Sequence, residues 1–272
     1  MGLRINTNVA ALNTARILRR NTTDLNKSLE RLSSGLRINR AADDAAGLAI
    51  AEGFRSQVRG SQVAQRNSQD GISLVQTTEG SLTETTNILQ RIRELAVQSA
   101  NGTNSQDNRN ALDAEVQQLL DQVDDIALDT EFNGLRVLSS AQTVTIQAGP
   151  QPSQTLVVTV QGAKTSDLSI STVSISSVGL AVSAISSVDI AIQSISQLRS
   201  NLGALQNRLE FTINTLGIQE ENAASSESAI RDADMAEETS RFTRNQILVS
   251  AGTSVLAQAN VIPQTALQLL GG

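Results

Sequence analysis

The chain has 272 residues, a net charge of −6, and four phenylalanines as its whole aromatic content: Phe54, Phe132, Phe211 and Phe242. Histidine and cysteine are both absent, which removes the common zinc ligands, the usual general base, thiol nucleophiles and disulfides. The acidic balance speaks against a nucleic-acid binder, and the missing Trp and Tyr speak against a thick globular core or a ligand pocket. Long helices zipped by Leu, Ile, Val and Ala can do without aromatics.

All basic residues except Lys27 and Lys164 are arginine, whose planar fork suits ion pairs between packed helices or subunits. No cleavable signal peptide is expected from the polar start MGLRIN. The best membrane candidate, Val178 to Ile192, is broken by serines and Asp189, so a protein soluble when made is expected.

Along the chain, Leu18, Leu25, Leu29, Leu32 and Leu36 have heptad-like spacing, and Gly35 marks a break. A second helix is predicted from about Asp44 to Ala100, with Ile72, Val75, Leu82, Leu89, Ile92 and Ala96 on its apolar face. Residues 101–108 (NGTNSQDN) are turn chemistry. A third helix carries Leu112, Val116, Leu119, Val123 and Ile126 and ends near Asp129. Charges then nearly vanish between Val137 and Ser177. Val144 and Ile146 are read as sharing one face, and Leu156, Val158 and Val160 another, across a turn holding Pro150 and Pro152. This hairpin, with an irregular Ser/Thr-rich extension at 165–178, is expected to be the only β region.

Helix returns with Ile185, Val188, Ile192, Ile195, Leu202, Leu209, Ile213 and Leu216. The polar stretch Glu220 to Ser228 is read as a relaxation or break, and a last helix from about Ala229 to Leu270 carries Ile247, Leu248, Val255, Leu256 and Ala259. The expected fold is mainly α: long antiparallel coiled-coil helices from both termini plus a small central β-hairpin region.

Few residues suggest chemistry. Asp43 and Asp44 point about 100° apart on a helix, which suits a helix N-terminus better than a shared substrate. An inter-subunit ion pair and an acid/base pair are the alternatives, with Arg37 and Arg40 close by in sequence. Arg231, Asp232, Asp234, Glu237 and Glu238 read as a helix start or solvated face, or as a salt-bridging surface for a partner. Leu3, Ile5, Val9, Leu12, Leu256, Leu267, Leu269 and Leu270 are apolar residues near chain ends, where neighbouring subunits could cover them. No phosphate-cradling loop, nucleophile elbow or metal-ligand set stands out.

Several long stretches carry a resemblance: RINTN at 4–8, Leu32 through Ile50, NSQDGISL at 67–74, QRIRELAVQ at 90–98, TEFNG at 130–134, LGALQNRL at 202–209, IRDADMA at 230–236, and the tail from LAQAN at 256 to Leu270. The sequence resembles a bacterial flagellin over roughly residues 3–138 and 190–270. The related hook–filament junction proteins usually place prolines around the paired aspartates, where this chain has alanines; a junction or adaptor protein is the alternative.

The resemblance implies a structural, non-enzymatic subunit without cofactors that self-assembles into the flagellar filament. It implies residues 1–43 plus 229–272 as an inner coiled-coil domain, and 44–228 as an outer rod domain with its hairpin at about 137–177. Leu3, Ile5, Val9, Leu12, Leu256, Leu267, Leu269 and Leu270 would then build the filament core, and Arg37, Arg40, Asp43 and Asp44 the joint between layers. Expected partners are further copies, an export chaperone, the filament cap and hook-junction proteins, with no nucleic acid and no membrane. The implied location is the extracellular flagellum, reached through the flagellar type III export channel. Arg91, Leu95 and Glu115 match a patch through which a vertebrate toll-like receptor senses flagellins.

Overall fold

The computed structural model describes the backbone of residues 7–270 and the side chains of residues 7–261. In chain order it has helices α1 (Val9–Ser34), α2 (Ala45–Ala100) and α3 (Gln106–Asp129) and strands β1 (Glu131–Phe132), β2 (Leu135–Arg136), β3 (Gln142–Gln147) and β4 (Thr155–Val160). Helices α4 (Val178–Arg231) and α5 (Met235–Leu270) follow. The fold is mainly helical, as expected. Contacts divide it into a terminal unit, Met1–Ser56 with Asn222–Gly272, and a central unit, Gln57–Glu221.

The central unit holds the apolar core. Leu82, Leu89 and Ile92 of α2 and Ile195, Leu202 and Leu209 of α4 are all at most 1% exposed. Both sets follow the heptad-like spacing of the sequence, so each helix offers one continuous stripe to the other. Polar contacts fix the antiparallel sense: Arg93–Asp189 at 2.7 Å, Arg199–Glu79 at 3.6 Å, and Gln62 donating to Glu220 at 2.7 Å. Helix α3 adds Val116, Leu120, Val123 and Ala127 to the core.

Helix ends follow local chemistry. Ser105 accepts from the Asn108 N–H at 3.2 Å and starts α3 inside the expected 101–108 turn. No basic residue lies in the last turn of α2. Buried Arg109 comes from α3 instead, donating to the carbonyls of Ser99, Asn101 and Asn104 and placing a cation where the helix dipole favours one.

The β structure differs from expectation in three ways. First, Val144 pairs with Val158 and Ile146 with Leu156, so the apolar residues of β3 and β4 lie on one face, because directly opposed antiparallel residues point the same way. Second, β1 and β2 form another hairpin around Asn133 (φ 52°) and Gly134 (φ 78°), the left-handed pair of a type I′ turn. Its two-residue strands are too short to show alternation. Third, the hairpin ends at Val160, and the Ser/Thr-rich segment after it is pinned to the core. Ile170 and Ile175 are fully buried. Asp124 accepts from the Thr165 N–H at 2.7 Å, and Asp113 from the Ile175 N–H at 2.6 Å.

Helix α4 begins at Val178 and runs unbroken through Glu220 to Ser228; the last helix starts at Met235, not Ala229. That stretch contains no Gly or Pro and several good helix formers, so polarity alone does not break it. An 18-residue window of α4 reaches a mean hydropathy of 1.6, enough by length and composition to cross a membrane, with 28% of it buried. This is the helix that holds the candidate Val178 to Ile192. Its buried residues Ala181, Ala184, Val188, Ala191 and Ile195 recur every three or four positions, the pattern of a helix packed on one side.

A Cβ on Gly71 would lie 2.4 Å from Ile146 Cδ1, whereas one on Gly80 would meet nothing within 4 Å. Gly71→Ala is expected to destabilise the central unit by about 1–3 kcal/mol through overpacking. Gly80→Ala is expected to stabilise it by about 0.5–1 kcal/mol through helix propensity. Urea unfolding of the two variants, opposite in sign, checks both.

Candidate assembly face and connector joint

In the terminal unit α1 and α5 pair antiparallel. Asn8 donates to the Ala259 carbonyl at 2.7 Å near one end, and Arg31 meets Glu238 at 3.6 Å near the other. The inward stripe of α1 is Ala11, Thr14, Leu18, Asn21, Leu25, Ser28 and Leu32; that of α5 is Glu238, Phe242, Asn245, Val249, Gly252, Leu256 and Ala259. Both alternate steps of three and four, the spacing of a coiled coil. About half of the seam is small or polar, and the only fully buried residue of α1 is Ser28.

A second set of large apolar side chains faces outward. Leu12 is 63% exposed and Ile247 62%, and Val9, Ile17, Val255 and Val261 are exposed as well. Leu29, expected in the seam, is exposed, as are Ile247, Leu248 and Val255, which were expected on the packed face of α5. Helix α5 has no single apolar face, mixing Arg241, Arg244 and Gln246 with Phe242, Ile247 and Leu248, so periodicity could not select the side that α1 covers. Of the expected core-assembly residues, Val9 and Leu12 are on the free face and Leu256 lies half-buried against α1. Leu3 and Ile5, and the side chains of Leu267, Leu269 and Leu270, lie outside the described residues.

The two connectors of this unit pair with each other, which nothing in the sequence pattern indicated. Gly35 closes α1 in the left-handed region (φ 72°), its N–H donating to the Arg31 carbonyl at 2.8 Å. Leu36 and Asp232 then form an antiparallel bridge. The Arg37 N–H donates to the Arg231 carbonyl at 2.6 Å, the Ala233 N–H to the Gly35 carbonyl at 2.9 Å, and the Arg37 guanidinium to the Ile230 carbonyl at 2.5 Å. Asp234 accepts from the Ala236 N–H at 2.9 Å and so starts α5.

The paired aspartates diverge. Asp44 Oδ1 accepts from the Gly47 N–H at 2.8 Å and its carbonyl from the Leu48 N–H at 3.0 Å, which makes it the cap of α2. Asp43 turns to α1, 2.6 Å from Lys27 Nζ, and also accepts from the Asn39 and Arg40 N–H groups at 3.3 Å each. Arg40 binds Glu30 at 2.8 Å rather than either aspartate. The Lys27 ammonium holds the Asp43 carboxyl below its usual range, against partial burial and with help from the Arg40 and Asn39 N–H groups. A carboxylate so held is a poor proton shuttle near neutrality.

In the central unit Arg91 grips Glu115 at 2.8 Å on the surface, also touching Glu94 at 3.3 Å. Leu95, grouped with them in sequence, is 1% exposed and packs in the core, so it shapes this patch only from beneath. Among the described residues no cluster of three metal-ligating side chains occurs.

Because the folded-state pKa of Asp43 is depressed, its contribution is fully present above about pH 4 and is lost as pH falls through the lower folded value. Asp43→Asn should therefore cost the terminal unit about 0.5–1 kcal/mol at pH 7, the scale of a partly exposed ion pair, and almost nothing near pH 2. Urea titrations at both pH values check this, and an equal loss at both would contradict it.

Residues 5–143 match the bacterial flagellin N-terminal helical region, and residues 185–270 the C-terminal helical region. The chain is 45% identical over 304 residues to flagellin of Bacillus subtilis (strain 168), covering 98% of this chain and 100% of that one. It is 45% identical over 287 residues to the flagellar filament core protein flaB2 of Brachyspira hyodysenteriae, covering 98% and 99%. The crystal structure of Bacillus cereus flagellin superposes with a TM-score of 0.50 at 34% identity, over 56% of this chain and 88% of that one. With both helical regions matched and near whole-length identity to filament proteins, the chain belongs to the bacterial flagellins: it is a structural subunit of the flagellar filament, not an enzyme.

Proposed function

We propose that copies of the chain polymerise by burying the outward apolar faces of α1 and α5 against one another, without any further partner in the finished contact. The observation that carries this reading is the exposure of Val9, Leu12, Ile17, Ile247 and Val255 on helices whose inward seam is only half apolar. Exposed patches of this kind mark interaction sites, and at about 25 cal/mol per Å² their burial favours assembly. In this reading residues 1–43 with 229–272 build the filament core, Leu3, Ile5, Leu267, Leu269 and Leu270 included, and residues 44–228 build the shell. The paired connectors with Arg37, Arg40, Asp43 and Asp44 are the joint.

Before assembly the apolar faces need cover, which fits an export chaperone holding the C-terminal helix. The chain would leave the cell through the flagellar type III export channel and add at the tip under the filament cap, beyond the hook-junction proteins. The Arg91–Glu115 pair, with Leu95 beneath it, is the surface a vertebrate toll-like receptor would meet.

Removal of residues 1–20 or of 255–272 should abolish seeded polymerisation while the central unit keeps its helical circular-dichroism signal. Light scattering and electron microscopy after seeding give the answer; normal filaments from both truncated chains would overturn the reading.

A further inference from the structure

In an Asn-Gly pair no Cβ shields the glycine nitrogen from the asparagine side chain, and the two can react with each other. The chain has two such pairs: Asn101-Gly102 in the turn between α2 and α3, and Asn133-Gly134 in the β1–β2 hairpin. All four residues are exposed, yet the turns prepare the reaction differently. In the hairpin, Asn133 (φ 52°) and Gly134 (φ 78°) are left-handed, and the ψ of about 30° that a type I′ turn sets at its first central residue carries the glycine nitrogen away from the Asn133 Cγ. Phe132 and Leu135 pair across that turn, so the backbone must open before the atoms meet.

At Asn101 the parts of the reaction are assembled. Its Oδ1 accepts from the Thr103 N–H at 3.2 Å, a donor placed where attack on Cγ would develop negative charge. Its main-chain carbonyl accepts from the Arg109 guanidinium at 3.1 Å and from the Asn104 N–H at 3.3 Å. That carbonyl and the Gly102 N–H belong to one peptide unit, so a cation on the oxygen makes the N–H more acidic, and the deprotonated nitrogen is the nucleophile. The Gly102 N–H itself donates to nothing among the described residues. Arg109 is 6% exposed and binds only the carbonyls of Ser99, Asn101 and Asn104, so no carboxylate neutralises its charge among the described residues.

We propose that Asn101-Gly102 is a self-modifying site, with the Thr103 N–H as its oxyanion donor and Arg109 as its positioning residue. The Gly102 nitrogen, its proton passed to water, forms a bond to the Asn101 Cγ. The Cγ–Nδ2 bond breaks, and the amide nitrogen leaves as ammonia. Water then opens the succinimide ring at either carbonyl, to an aspartyl or an isoaspartyl linkage. Both products add a carboxylate beside Arg109, and the isoaspartyl one also adds a methylene to the main chain of the turn that Arg109 holds. Water is the only co-reactant. The site ages the subunit irreversibly, whether or not the polymerisation reading holds.

The full-length chain is held in mildly alkaline buffer, folded or in concentrated urea, and its peptides are mapped over time by mass spectrometry with fragmentation that separates the two linkages. In the folded chain Asn101 should lose ammonia about tenfold faster than Asn133, whose backbone must first leave its well. In urea both are plain Asn-Gly pairs, and the rates should converge. Thr103→Pro, which removes the donor N–H, should slow loss at Asn101 about tenfold and leave Asn133 unchanged, with circular dichroism reporting that the helices persist. Arg109→Gln should move the rate–pH curve of Asn101 to higher pH, and Arg109→Lys should recover part of that shift. Equal rates at the two sites in the folded chain, faster loss at Asn133, or an Asn101 rate unchanged by both Thr103→Pro and Arg109→Gln would overturn the proposal.

Discussion

Without Trp or Tyr, burial in this chain has to come from length rather than thickness. A Leu or Ile stripe of width one residue can zip two helices but cannot wrap them, so each helix uses one face and leaves the others to solvent or to a neighbour. Leu82 and Leu89 against Leu202 and Leu209 show the outcome: side chains at most 1% exposed on one side, while Phe211 of the same helix is free. The same narrowness makes small contacts matter. Gly71 admits Ile146 where any Cβ would collide, and Asp113 and Asp124 recruit a loop with buried Ile170 and Ile175 to fill what aromatics would otherwise fill.

The two units solve this constraint differently. The central one closes its core with three helices, a hairpin and a pinned loop. The terminal one has only α1 and α5, and its seam alternates Leu18, Leu25 and Leu32 with Asn21 and Ser28. Polar residues at seam positions of a coiled coil fix register at a cost in stability. Here the seam also holds Glu238, which Arg31 approaches at 3.6 Å, so register is set by charge as well. A pair with good register and a half-polar seam, carrying further large apolar residues such as Leu12 and Ile247 on the outside, is suited to a protein that finishes its folding by assembly.

What could be read from the sequence was what depends on nearby residues. The stripe from Ile72 to Ala96, the break at Gly35 and the start of α2 behind Asp44 all follow from spacing or from a side chain reaching its own backbone. What could not be read depended on a choice among partners. Ile247 and Leu248 looked inward because α5 has no single apolar face, and only the position of α1 decides which side is covered. Leu95 was grouped with Arg91 and Glu115 by resemblance alone, yet together with Ile92 and Ala96 it turns to the core. The docking of Leu36 on Asp232 was illegible in a stronger sense, since it is made by main-chain groups that any residue carries.

That last point explains why two adjacent aspartates sit in an alanine-rich connector. The main-chain bridge between Gly35–Arg37 and Arg231–Ala233 sets where the chain passes but not which way it leaves. Direction comes from side chains: Asp44 accepts from the Gly47 N–H in the first turn of α2, and Asp43 ties the same connector to Lys27 on α1. Adjacent positions on a helical turn diverge by about 100°, so one carboxylate reaches the new helix while the other reaches the old one. Larger neighbours would obstruct this: a Cβ at Gly47 would lie 2.4 Å from Asp44 Oδ2 and 2.9 Å from Ile38 Cδ1. The divergence that makes the pair useless for chemistry on a shared substrate is what lets it join two helices.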